Sequence, residues 1–272
     1  MSSQVGFPAK APLATVTRPS EDIWILELHN GEDNRLTDIF IRDSIMPALD
    51  HVEREWRQGW RSAQAAKDPK KGAGALIIVG KRGQDKFFSN GLDYKNVAGK
   101  HWFFRQTFNP FISRLMLFPI PTIAALNGHT FAGGFLVAMA CDYRVMIDGI
   151  KRRAWGSMNE ITFAAPWPRS FAVLFRAKTR EPNLVRKIAL EAARITPQEM
   201  LDGGLIDEIG GSNTEEVIQT AVKLGKKWGP NAATGVWGVI KADIYYDVLD
   251  SLSQDLRASS AEEEDLYAKA RL

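Results

Sequence analysis

The sequence predicts an α/β fold whose last third is helical, and three observations carry that prediction. Ala75–Val79 and Thr122–Leu126 are short, wholly apolar runs, the pattern of strands buried on both faces. The stretch between them, Leu92 to Phe118, has helical spacing. From Glu181 onward the chain reads as helix again, broken at Gly203-Gly204. Strands alternating with helices over the first two-thirds give the α/β class. We divide the chain into a core, residues 1–200, and a mainly helical C-terminal region, 201–272.

Taken in order, Ile23–Leu28 is rich in β-formers and reads as the first strand. Turn residues follow through Asn34. Thr37 then caps a long helix, with Ile39, Ile45, Met46, Leu49, Val52 and Trp56 spaced for one apolar face. Ala66 to Gly74 is a charged surface loop. Aromatics at 102, 103, 104, 108 and 111 are expected in the core, or on the wall of a ligand pocket. Asp142–Ile147 reads as a further strand and Leu205–Ile209 as a short one; helices from Thr214 to Tyr267 follow.

Composition excludes several classes. With 272 residues the chain suits one large domain or a domain with an appendage. A net charge of +3 is too small to argue for a nucleic-acid partner. Cys141 is the sole cysteine, so no internal disulfide is possible, and a reducing compartment is expected. No apolar run reaches the roughly 18 residues of a membrane span. Met1 to Leu13 lacks the apolar stretch of a secretory signal. Ala270-Arg271-Leu272 resembles the Ser-Lys-Leu peroxisomal address, which makes the import receptor an expected partner and the peroxisome the expected location. A frayed helix end accounts for those three residues equally well.

Two segments share one design. In Phe87-Phe88-Ser89-Asn90-Gly91-Leu92-Asp93, an apolar strand end meets a glycine turn, and a helix starts near Asp93. Amides at a helix start have no intrahelical acceptor. Pro121 to Gly134 repeats the plan: buried strand, turn, then a helix opening with Gly133-Gly134. Either segment alone reads as an ordinary strand-to-helix turn. Together they offer two N–H donors to one oxygen that becomes negative during a reaction. Glycine at 133 and 134 is expected to let a ligand approach the backbone. His29, His51, His101 and His129 lack ligand spacing, so no metal is assigned, and His129 is expected to be structural. Ser89 has no Gly-x-Ser-x-Gly context, so no serine hydrolase is supported.

These segments carry a family resemblance. Asn127 through Cys141-Asp142-Tyr143-Arg144 resembles the crotonase (enoyl-CoA hydratase/isomerase) signature, and Phe87–Asp93 resembles that family's first oxyanion loop. The match in order and spacing runs from about Ile23 to Ile209. The resemblance implies a crotonase-like spiral of ββα repeats with a helical C-terminal trimerisation region, assembled as trimers or hexamers. It implies an acyl-CoA substrate, so that coenzyme A arrives with the substrate and no cofactor is permanently bound. The oxyanion donors map onto the backbone N–H groups of Leu92 and Gly133. Ser89, Asn90, Gly91, Asp93, Lys95, Gly134 and Leu136 map onto substrate or coenzyme A contacts. Arg35 is a further candidate for the cofactor phosphates. Lys95 and Arg35 are equally what solvated surface charges look like, and for Arg35 that is the simpler account.

The carboxylates decide the reaction within the family. Hydratases carry two glutamates; the first, five residues before the Cys-Asp pair, is Leu136 here. The second matches Glu160. The segment Ser157 to Trp167 resembles the Asn-Glu-Thr and Ala-Pro-Phe-Trp stretch of Δ3,Δ2-enoyl-CoA isomerases. Moving a double bond from the β,γ to the α,β position needs one base, whereas adding water needs a second group to orient it. Met158, Ile161, Phe163 and Ala164 around Glu160 are expected to desolvate it and raise its pKa. Without that flanking match, a solvated surface glutamate would be the simpler account. Hydration, dehydration or thioester hydrolysis remains open if Asp93 or Glu181 supplies a second acid. A non-catalytic coenzyme A-binding scaffold is the alternative of another class.

Overall fold

The computed structural model describes residues 4–254 and 260–271, apart from Asp85, Ala98, Gly99, His101 and Arg180. His101 and Leu272, both named above, therefore lie outside the described residues. The strands are β1 (Gln4–Phe7), β2 (Ala14–Ser20), β3 (Ile23–Leu28), β4 (Ala75–Val79), β5 (Phe87–Ser89), β6 (Thr122–Leu126), β7 (His129–Phe131), β8 (Tyr143–Met146), β9 (Gly156–Ser157) and β10 (Glu208–Ile209). The larger sheet runs β1-β2-β3-β4-β6-β8-β10, antiparallel through β3 and parallel beyond it. The smaller sheet is β5-β7-β9, all parallel.

Connectivity explains the arrangement. Each of the pairs β4/β5, β6/β7 and β8/β9 places its first strand in the large sheet and its second in the small one. Helical segments return the chain between pairs, so three successive ββα turns wind into a spiral. β4 and β6 are buried along their whole length, which is why they read as unbroken apolar runs. Their register sets Ile77 against Ile123 and Ile78 against Ala124.

The helices are α1 (Asp38–Phe40), α2 (Met46–Ala66), α3 (Tyr94–Val97), α4 (Asn109–Met116), α5 (Gly133–Ala140), α6 (Arg169–Lys178), α7 (Pro182–Leu190), α8 (Pro197–Asp202), α9 (Thr214–Trp228), α10 (Trp237–Ile244), α11 (Tyr246–Ser253) and α12 (Ala261–Arg271). α5 is buried on every side, consistent with its lack of any polar side chain. α9 packs on the large sheet through Gly225, where a Cβ would sit 3.0 Å from Ile23 and 3.1 Å from Ala75.

Several expectations need correction. Thr37 does cap the first helix, accepting from Phe40 N at 3.0 Å. However, Ile39 is 60% exposed, and burial falls instead on 40–41, 44–45, 48–49, 52 and 56. The π-type turn Ile41–Ile45 is the cause. It inserts an extra residue, which rotates the upstream residues by about 100° around the axis. The 66–74 loop is not all surface: Gly72 O accepts from Trp56 Nε1, and Gly74 N donates to Gly229 O. β1 and β2 precede the first expected strand. In β2, Pro19 lacks an N–H, and the pairing with β3 shifts between Thr17 and Ser20 to accommodate it. α6 begins at Arg169, earlier than the helical start expected at Glu181.

Part of the apolar surface of the C-terminal region covers the core. Trp228 stacks on Tyr143, Tyr245 and Leu249 pack against the core, and Trp237 is half-buried. Tyr246 alone of that set is largely exposed, at 72%. Val239, Ile240 and Ile244 of α10 are exposed apolar side chains, as are Val236, Leu266 and Tyr267.

α10 is held by a buried ion pair. Lys241 Nζ lies 3.0 Å from Asp142, and both side chains are under a tenth exposed. Asp142 also accepts from Trp237 Nε1 and from the backbone N and hydroxyl of Thr122 at the start of β6. Removing one partner strands the other charge in a dry site. Lys241→Ala is expected to lower unfolding free energy in urea by about 3 kcal/mol. A loss under about 1 kcal/mol would contradict the structural role given to this pair.

Candidate active site

β5, β7 and β9 are parallel neighbours, so their C-terminal ends lie side by side. The residues that follow them are therefore delivered to one edge of the small sheet. β5 delivers Asn90 to Asp93, β7 delivers Ala132 and Gly133, and β9 delivers Asn159 and Glu160.

The first two segments are in contact. Gly91 has φ +86°, and a Cβ there would lie 2.7 Å from Ala132 Cβ and 3.0 Å from Gly133 N. A Cβ on Gly133 would lie 3.3 Å from Leu92 N, so the two amides are close neighbours. A Cβ on Gly134 would lie 2.6 Å from Ser89 Cβ. The space at 133 and 134 is thus taken by the chain's own Leu92 and Ser89. This corrects the expectation that these glycines leave room for a ligand: they let the two segments meet.

Ala132 adopts φ 48°, ψ −126°, a region that an L side chain rarely occupies. Its N still donates to Ser157 O at 2.9 Å, continuing the pairing with β9. The turn that follows opens α5 with Gly133 N, which has no intrahelical acceptor. Neither Leu92 N nor Gly133 N donates to an acceptor among the described residues. Most neighbouring polar groups are engaged, the buried Asn34 Oδ1 excepted. Leu36 N donates to Gly91 O, Asp93 N to Leu36 O, and Asn90 N to Asp33 O. Asn34, fully buried, donates from Nδ2 to Phe88 O, and Ser89 Oγ donates to Asn34 O.

A cavity of about 370 Å³ opens at this edge. Leu92, Asn90, Lys95, Ala132 and Glu160 line it, as does Arg35. Phe104, Phe163, Pro166 and Phe171 supply much of its apolar wall. Tyr94 and Phe163, from two of the segments, meet at 5.2 Å between ring centroids. Ser89, Gly91, Asp93, Gly133, Gly134 and Leu136 do not line it, although Leu92 and Ala132 on either side of the paired amides do. Ser89 and Gly134 are packed against each other, and Leu136 is buried in α5. Asp93 accepts from Asn96. Arg35 is paired with Asp33 at 3.0 Å, and Asp33 also accepts from Asn90 Nδ2. A cleft of similar volume between α6 and α11 has Arg169, Arg176, Asp247 and Asp250 on its walls and none of these residues.

Glu160 opens a 3-10 turn, Glu160–Phe163, and is 7% exposed. Burial pushes its carboxyl pKa up to about 7; its backbone hydrogen bond and Trp167 Nε1, 3.3 Å from Oε2, pull the other way. It is the one carboxylate on the cavity wall among the described residues. Glu181 is exposed at the start of α7, and the buried Asp38 is engaged by Thr107 and Arg42. His129 packs between Phe131 and Trp155, and its Nδ1 accepts from Trp155 N. Burial, and then Arg194, Lys86 and Arg152, hold its pKa below the usual range. Among the described residues, no three His, Cys, Asp or Glu side chains converge as metal ligands.

The sequence reading did not single out Trp167 or Ala132. Trp167 stands seven residues from Glu160, a spacing that points nowhere until the turn folds back. Ala132 takes a conformation that composition does not advertise.

Comparison with known proteins bears on this site. Residues 62–269 match the enoyl-CoA hydratase/isomerase family. The chain is 28% identical over 246 residues to enoyl-CoA delta isomerase 2, peroxisomal, of Arabidopsis thaliana, covering 87% of this chain and 94% of that one. It is 29% identical over 236 residues to enoyl-CoA delta isomerase 3 of the same plant, covering 82% and 89%. An enoyl-CoA hydratase/isomerase family protein from Pseudomonas syringae shares the fold with a TM-score of 0.70 at 21% identity, covering 88% of this chain and 93% of that one. With the family matched over most of its length and the spiral in place, the chain belongs to the enoyl-CoA hydratase/isomerase (crotonase) family.

Proposed function

We propose that the protein is an enoyl-CoA isomerase that moves a double bond of an acyl-CoA from the β,γ to the α,β position. The observation that carries this reading is the single carboxylate on the cavity wall, Glu160, with a pKa raised to about 7. In the proposed reaction, Glu160 removes a proton from the carbon next to the thioester carbonyl. The C–H electron pair moves into the conjugated system, and the thioester oxygen becomes negative. The N–H groups of Leu92 and Gly133 stabilise that oxygen. Glu160 then returns the proton to the γ carbon, which leaves the double bond between α and β. One base suffices, and no resident cofactor enters the scheme.

Water addition would require a second polar group to hold the nucleophile. Leu136, where hydratases of this family carry their first glutamate, is apolar and buried away from the cavity lining. Lys95 and Arg35 are proposed contacts for the phosphates of coenzyme A, since both line the cavity and are partly or fully exposed. We also propose a trimer covering the exposed Val239, Ile240 and Ile244, and a peroxisomal location. Two of the Arabidopsis isomerases named "peroxisomal" support the location.

Glu160→Gln keeps the shape and removes the basic oxygen. Its isomerisation rate is expected to fall by at least about 10² to 10⁴-fold, with acyl-CoA affinity nearly unchanged. Unchanged activity would refute the mechanism. The base works only when ionised, and its proton leaves near pH 7. Wild-type kcat/KM is therefore expected to be low at pH 5, rise through a midpoint close to 7, and level off above. A flat profile from pH 5 to 9 would contradict the assignment. Light scattering is expected to give about three times 30.3 kDa, or a multiple of that; a stable monomer would refute the trimer. Deleting residues 270–272 is expected to leave the fold intact and the protein in the cytosol, whereas unchanged import would remove the role given to that tail.

A further inference from the structure

The chain folds back sharply after Glu160. Its turn closes with Ala164 in the left-handed region, φ 54°, and Glu160 O accepts from both Ala164 N and Ala165 N. This reversal brings Trp167 beside the Glu160 side chain. Trp167 stands between Pro166 and Pro168. A proline fixes its own φ and restricts the residue before it, so the backbone at 167 has little freedom. The indole is clamped from α6: it stacks on Phe175 at 5.6 Å and 24°, and meets Phe171 edge-on at 6.2 Å. Both phenylalanines are buried.

The clamped indole faces one oxygen of the carboxylate. Trp167 Nε1 donates to Oε2 of Glu160 at 3.3 Å. Trp167 Nε1 is the one side-chain donor to this carboxylate among the described residues, the other bond to it coming from the backbone N–H of Glu160 itself, and Glu160 lines the cavity. The two oxygens are therefore inequivalent before any substrate arrives. We propose that Trp167 is a positioning residue, whose Nε1–H anchors Oε2 of Glu160 and leaves Oε1 as the oxygen that exchanges the proton.

This proposal rests on the reading of Glu160 as the proton shuttle. A carboxylate that turns freely about its terminal torsion presents either oxygen, and fixing it during the reaction would add an entropic barrier. The clamped indole removes that freedom in advance. The bond is also stronger to the ionised carboxylate than to the neutral acid, so it favours the basic form against the effect of burial. The other charged side chains on the cavity wall are Arg35 and Lys95; burial opposed by hydrogen bonding, not either of these, sets the shift at Glu160.

Trp167→Phe retains a ring and removes the donor. Carbon-13 NMR of the glutamate carboxyls, assigned with Glu160→Gln, follows the Glu160 titration directly and without reference to any reaction. In Trp167→Phe its midpoint is expected to rise by about 0.5 to 1 pH unit, with the acid limb of isomerisation moving equally. At alkaline pH, where Glu160 is ionised in both proteins, kcat is expected to fall about threefold to tenfold with little change in KM. Trp167→His, which returns an N–H donor, is expected to recover part of both effects. In the wild type, one of the eight indole N–H resonances should titrate with the Glu160 midpoint and cease to do so in Glu160→Gln. This second measurement holds even if Trp167→Phe fails to fold. Trp24 and Trp237 also donate to carboxylates, of Glu55 and Asp142, and their resonances are distinguished by their indifference to Glu160→Gln. A shifted titration in a protein without isomerase activity supports the positioning role and overturns only the reaction. A Glu160 midpoint unmoved in folded Trp167→Phe, or no indole resonance that follows Glu160, overturns the positioning role whatever the reaction.

Discussion

The site depends on one steric constraint: the ends of β5 and β7 touch where side chains are absent. Gly91 lies so close to Ala132 and Gly133 N that a methyl group there would collide with both, and its φ of +86° excludes one independently. Gly134 meets Ser89 in the same way. Through these contacts the amides of Leu92 and Gly133 become neighbours, although they stand 41 residues apart, from 92 to 133. The strained backbone at Ala132 and the bracing segment around Asn34 follow from that contact. The first turns the chain into α5, and the second ties Phe88 O, Asn34 O and Gly91 O into hydrogen bonds while the two amides stay without an acceptor among the described residues.

Onto this frame β9 brings a carboxylate in a dry environment. Burial raises the Glu160 pKa toward neutrality, and hydrogen bonding keeps the rise within a range where the group still ionises near pH 7. The balance matters for a base. An exposed glutamate would be a weak acceptor of protons at neutral pH, and a fully desolvated one would stay protonated. In the proposed reaction the apolar wall of Phe104, Phe163, Pro166 and Phe171 acts on the chemistry as well as on the fit of an acyl chain. The same fold supports several reactions, so the side chains at this edge, and not the spiral, select among them.

Much of this was legible in the sequence because buried strands announce themselves. β3, β4, β6 and β8 coincide with expected strands to within a residue or two, since burial on both faces leaves no polar alternation to blur the pattern. Glu160 was legible through the resemblance of its flanking segment; its burial came as expected, but of the apolar neighbours Met158 is buried while Ile161, Phe163 and Ala164 are exposed. What stayed hidden depends on geometry that pattern does not encode. The π turn at Ile41–Ile45 moved Ile39 out of the apolar face. The two glycines at 133 and 134 read as room for a ligand, because sequence shows that a Cβ is missing but not what fills the space. Trp167 reaches Glu160 only because Ala164 adopts a left-handed conformation, which nothing in the sequence of an alanine foretells.

The central claim is that one carboxylate, with no second acid to hold a water, makes this site an isomerase. It is tested most directly by measuring two rates on the same purified wild-type protein. One is conversion of 3-enoyl-CoA to 2-enoyl-CoA, and the other is uptake of water by 2-enoyl-CoA. The account predicts that isomerisation exceeds hydration by at least about 100-fold, the low end of what a positioned acid/base group contributes. A hydration rate equal to or above the isomerisation rate would contradict it.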